Sequence, residues 1–229
     1  MCRRNKYKTY FIFILACLLI FGCSKGESNV SSNAASPPVS DEKAETQADA
    51  NEVKASQEKN IASIRAVLET ELTVPNESYL QVQQNLSNKY DEIYATDSEE
   101  TVYTADPTEG TPEREAYTEF LKQTYEPYFT ENGFDFYTSA FALTFHHLGG
   151  HPEPDYEIRI QNLKVEKSNN PRAPLVYNFT VLIDYIPKKG EPKQFTMTGN
   201  AICPEEGKIG ELNFRDDGGL QQYIMDSQL

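Results

Sequence analysis

The chain has 229 residues, with 21 Lys and Arg against 35 Asp and Glu, and a formal net charge of −14. That balance excludes a nucleic-acid partner, which requires clustered cations, and argues against docking on anionic lipid heads by charge. It serves solubility or a cationic partner, and the length suits one domain plus a linker.

Arg3, Arg4, Lys6 and Lys8 precede an apolar run over residues 10–21, and Gly22-Cys23 follow. A basic start, a short apolar stretch and a small residue before a cysteine mark an export signal. The run falls short of the roughly 20 apolar residues that span a bilayer, which disfavours the alternative of an uncleaved N-terminal membrane helix. Its end, Leu19-Ile20-Phe21-Gly22 before Cys23, resembles the lipobox of bacterial lipoprotein signals, although Phe21 is bulkier than the residue usual in that family. Ile14-Leu15-Ala16 before Cys17 is a weaker match, because cutting there leaves almost no apolar segment. The resemblance implies that residues 1–22 are a signal peptide and that the Cys23 sulfur is the lipidation site. The product would be a palmitate-type acylated chain on the outer face of the bacterial cytoplasmic membrane. Two or more acyl chains hold firmly, since each buried methylene is worth about 0.8 kcal/mol.

Cys2 and Cys17 would leave with the signal, so Cys203 stands alone and no intramolecular disulfide forms. At the end of an expected strand, with no basic neighbour, Cys203 reads as a small buried residue rather than a reactive thiol. Residues 23–58 read as a lipidated flexible linker. From Ser24 the segment has no aromatic residue and no Leu, Ile or Met, and it carries Pro37-Pro38. Such a composition cannot bury enough apolar surface to offset the entropy of ordering. As a random coil its rms reach is about 30–35 Å.

The folded domain is expected over residues 59–229. Ile61, Ile64, Val67, Leu68 and Leu72 recur at three- and four-residue steps, the pattern of one helix face. Pro75 ends that helix, and Asn76 or Ser78 caps a second, over 77–90, with Tyr79, Leu80, Val82 and Leu86 on its stripe. Residues 95–110 are acidic, contain Pro107 and read as a loop. Thr111 then caps a third helix with Pro112 in its first turn, where a missing N–H costs nothing. Glu113 and Glu115 suit its positive end. Tyr117, Phe120, Leu121, Tyr125 and Tyr128 continue at helical spacing until Pro127 kinks or ends the helix. The aromatic run through Phe129, Phe134, Phe136, Tyr137 and Phe141 fits helix-to-sheet packing better than a ligand pocket.

From Ser139 the period becomes two. Phe141, Leu143 and Phe145 alternate with polar or small residues, as do Tyr156, Ile158 and Ile160. Leu163 and Val165 shift the phase, which signals a bulge. Further strands hold Leu175 to Tyr185, Phe195 to Cys203, and Leu212 with Phe214. Turn residues separate them, including Gly149-Gly150, Asn169-Asn170-Pro171 and Glu205-Glu206-Gly207. Short connections mean an antiparallel meander. Helices first and strands after mean an α+β fold with N-terminal helices packed on a curved antiparallel sheet. A last short helix follows Asp217-Gly218-Gly219. This order of helices, a four- or five-strand meander and the closing Glu206-Gly207-Lys208-Ile209 with Leu212-Asn213-Phe214 resemble the NTF2-like (cystatin-like) family of extracytoplasmic bacterial lipoproteins, over about residues 60–215. The resemblance implies a cone with a pocket between helices and sheet. No catalytic motif of that family is matched, so no catalytic residue carries over.

His146, His147 and His151 are the only histidines and invite a metal site, which a carboxylate such as Asp155 would complete. In a strand, however, His146 and His147 point to opposite faces. Asp184 would be a general base if it faced a pocket, but it shares a polar strand face with Asn178 and Thr180. No Gly-x-Ser-x-Gly elbow, phosphate loop or Cys-x-x-Cys pair is present. The expected function is a membrane-anchored, non-catalytic module that binds a protein or small ligand and needs no cofactor. The alternatives are an enzyme using the pocket for small-molecule chemistry and a metal-binding lipoprotein.

Overall fold

The computed structural model describes residues 42–96, 105–148 and 154–227. The signal, Cys23 and the first part of the linker lie outside them, as do Gly149-Gly150, His151 and most of the acidic loop.

Four helices come first: α1 (Glu42–Glu71), α2 (Glu77–Thr96), α3 (Pro112–Tyr125) and α4 (Glu131–Ala140). A 3₁₀ turn (Thr144–His146) leads to strands β1 (Tyr156–Lys167), β2 (Val176–Pro187), β3 (Lys193–Ile202) and β4 (Glu211–Asp216), and α5 (Leu220–Ser227) ends the chain. The strands form one antiparallel sheet in the order β1-β2-β3-β4. The fold is α+β, as expected, and the open meander carries helices on its apolar face.

Local chemistry explains the helix ends. The Asn76 side chain accepts the Tyr79 N–H at 3.1 Å and starts α2. Thr111 accepts the Arg114 N–H and Pro112 sits in the first turn of α3, which stops at Tyr125, before Pro127. The expected bulge occurs as a register shift between Ile160 and Asn162. On β2, Tyr177, Phe179, Val181, Ile183 and Tyr185 are buried against the helices, while Asn178 and Thr180 are exposed. Ile64, Val67, Leu68 and Leu72 bring α1 into the same core.

Two expectations are corrected. Helix α1 begins at Glu42, so residues 42–58 are helix rather than flexible linker. Ala, Glu, Lys and Gln dominate there and no Gly or Pro interrupts, so propensity alone favours the helix. From Asn51 onward the first buried side chain is Asn60, whose Nδ2 donates to the Tyr177 hydroxyl at 3.0 Å. Its Oδ1 accepts the Gly207 N–H at 2.6 Å, and the Ser63 hydroxyl donates to the Gly207 carbonyl at 2.7 Å. Gly207 has φ +71°, a turn conformation that favours glycine.

The second correction concerns residues 139–146, expected as a strand. They form the end of α4 and the 3₁₀ turn. Thr130 starts α4 by accepting the Gly133 N–H at 3.2 Å. Tyr137 is buried while Phe136 stays exposed, and Leu143 and Phe145 are buried two residues apart. Their alternation comes from a tight turn and imitates a strand.

Candidate functional site

Glu71, the last residue of α1, is 1% exposed. One carboxylate oxygen accepts the Tyr125 hydroxyl at 2.5 Å, and the two oxygens share the Leu143 N–H at 3.1 and 2.9 Å. The Tyr137 hydroxyl is buried close by without a well-formed hydrogen bond. One carboxylate thus ties the end of α1 to α3 and to the corner after α4. Leu143 holds that corner in a left-handed conformation, φ +61°, which is strained for a side chain branched beyond Cβ. Burial pushes the Glu71 carboxyl up to about 7, against the pull of its donors. The negative end of the α1 dipole acts in the same direction as burial.

His146 and His147 lie in and just after the 3₁₀ turn. The His146 Nε2 is 3.0 Å from the Thr70 carbonyl oxygen, and its Nδ1 is buried without a partner among the described residues. Burial lowers the imidazole to about 4. The His147 Nδ1 lies 3.2 Å from the Tyr79 hydroxyl. The two rings are therefore engaged separately, one by α1 and one by α2. Among the described residues no group of three His, Cys, Asp or Glu side chains is arranged to hold a metal ion.

The other sequence candidates are dispersed. Asp184 lies on the outer face of the sheet, where Gln161 and Gln194 donate to it at 2.6 and 2.9 Å. Asp155, before β1, accepts the Lys188 N–H through its carbonyl at 2.9 Å. Cys203 is 1% exposed, and burial pushes its thiol up to about 12, which makes it unreactive. Tyr79, Tyr125, Tyr137 and Phe145 are core residues that line neither cleft described next, whereas Phe129, also in the core, and Phe134 reach the cleft beside α4. Open clefts run along α1 and the edge of β1 (Arg65, Glu69, Arg159, Gln161) and beside α4 (Lys122, Glu126, Glu131, Asp135, Lys208). Neither is lined by Glu71, His146 or His147.

A second polar cluster clasps α2 to α3. Asp106 accepts the Thr108 N–H and hydroxyl, the Tyr90 hydroxyl at 2.8 Å and the Arg114 guanidinium. The Thr108 hydroxyl, first among these, holds the exposed Asp106 carboxyl at about 2.

Glu71 escaped the sequence reading, yet a signal was present. It stands three residues after Leu68 and four after Val67, a carboxylate on the apolar stripe of α1. Replacing Tyr125 with phenylalanine removes a bond that favours the ionised form. The expected cost is about 2 kcal/mol at pH 8 and less at pH 5, where Glu71 carries its proton. Urea unfolding at the two pH values measures the difference.

Compared with known proteins, the chain matches no family model, no curated protein and no solved structure.

Proposed function

We propose that this chain is an extracytoplasmic bacterial lipoprotein, anchored through Cys23, whose α+β domain is a non-catalytic binding or scaffold module of NTF2-like type. The observation that carries the reading is the order of residues 3–23: cations, a short apolar run, then Gly22-Cys23. The acidic remainder supports it, because a charge-repelled domain needs a covalent anchor to stay at an anionic surface. The domain supports it in another way. Glu71 and His146, its strongly shifted buried groups, join secondary-structure elements rather than line the described clefts. Helices followed by an open four-stranded antiparallel sheet support the NTF2-like assignment. Among the described residues no helix is long and apolar enough to cross a membrane.

The test is Cys23→Ala in a bacterial host fed a labelled fatty acid. The unaltered chain is expected in the membrane fraction, labelled and lacking residues 1–22. The variant is expected without label, either released or retained as the uncut precursor. A Cys23→Ala protein that is cut normally and stays membrane-bound overturns the proposal.

A further inference from the structure

Two bonds cross between the same short segments in opposite senses. The Glu71 side chain takes the backbone N–H of Leu143, and the His146 ring meets the backbone carbonyl of Thr70 at 3.0 Å. Each segment gives one buried titratable side chain and one backbone group. Both side chains are 1% exposed.

The geometry dictates their protonation. A carbonyl only accepts, so the His146 Nε2 must carry a proton. A second proton would sit on Nδ1, which is buried and has no acceptor among the described residues; such an orphan donor costs the full desolvation penalty. The ring is therefore held neutral. Around Glu71, the facing groups are Tyr79 from α2, Tyr117 and Tyr125 from α3, Tyr137 from α4 and the neutral His146. Burial raises all four phenols, so they too stay neutral. Arg114 lies beyond Tyr117 and is paired with Asp106. No cation compensates Glu71, and an uncompensated buried charge favours taking up a proton. Beside His146 stand His147 and Tyr79.

We propose that the Glu71–Leu143 and Thr70–His146 bonds form a reciprocal stitch, free of any ion pair, whose two proton exchanges on unfolding offset each other in mildly acidic solution. Exposure on unfolding returns each group to ordinary behaviour. Glu71, held near 7 when folded, then releases a proton above its ordinary 4.5. His146, held near 4, takes one up below its ordinary 6.5. Between pH 4.5 and 6.5 the two exchanges cancel. Stability from the raised carboxyl is greatest at low pH and fades as pH rises toward 7. Stability from the depressed imidazole is greatest above 6.5 and fades as pH falls toward 4. Asp106 titrates below this window.

The test is urea unfolding of the full chain and of the variants Glu71→Gln and His146→Gln at pH 4.5, 5.5 and 6.5, followed by far-UV circular dichroism. Relative to the parent, the unfolding constant of His146→Gln is expected to rise about five- to sevenfold per pH unit, near fortyfold across the window. That of Glu71→Gln is expected to fall by the same factor. Burial also lowers the His147 imidazole, so His147→Gln is expected to move in the same sense as His146→Gln and by less. Variant curves that run parallel to the parent overturn the proposal. Should one of those variants not fold, calorimetric unfolding of His147→Gln, which keeps both stitching side chains, at pH 5.5 in two buffers of different ionisation enthalpy, reads the same quantity. Uptake or release below about half a proton supports the stitch, and a whole proton in either direction refutes it.

Discussion

Gly199→Ala is expected to destabilise the domain by about 3 kcal/mol. Gly199 sits in β3 directly opposite Phe179 of β2, beside the register shift that joins β3 to β4. An added Cβ would fall deep inside the contact distance of both the Phe179 ring and the Asn213 carbonyl oxygen. The ring can swing away only by leaving Phe214, which it meets edge-on with centroids 5.5 Å apart. The carbonyl belongs to the neighbouring strand and cannot move without breaking the pairing of Asn200 with Asn213. Phe179→Leu costs stability alone, yet it vacates part of the space. The double variant is therefore expected to lose less than the two single losses combined. Denaturant unfolding of the four proteins measures the cycle; strict additivity would mean that the ring is not what the new methyl meets.

Leu68→Ala in α1 is expected to cost about 3–4 kcal/mol. Leu68 is fully buried, and its removal leaves a gap between α1 and the sheet that the rigid strands cannot close. Val53 lies on the same helix but is 59% exposed. Val53→Ala is expected to stay within about 0.5 kcal/mol of the parent. The contrast divides one helix into a part that belongs to the core and a part that does not. A comparable loss for both variants would show that the N-terminal turns of α1 pack on something.

What could be read from residues alone follows the range of the physics involved. Thr111-Pro112 and Asn76 were legible because a cap is a contact between neighbours in sequence. The phase shift at Leu163 was legible because the period of a strand is strict. Residues 139–146 misled because Leu143 and Phe145 bury two apart in a turn whose shape is imposed from outside, by a carboxylate 72 residues earlier. Residues 42–58 misled in the opposite direction. A composition too polar for a core is still good helix material, and disorder was inferred from the wrong one of those two properties. Glu71 is hidden because its burial is imposed by residues distant in sequence, Tyr125 of α3 and Leu143 after α4.

The N-terminal length of α1 has a mechanical consequence. Between Glu42 and Lys59 the helix extends about 25 Å, at 1.5 Å per residue. A pull on the chain upstream is delivered along a stiff rod and enters the domain at one place. There Lys59 pairs with Glu206, Asn60 bonds Tyr177 and Gly207, and Ser63 bonds the Gly207 carbonyl. The hairpin at Gly207 and the start of β2 at Tyr177 are thus where force applied from the N-terminal side meets the sheet.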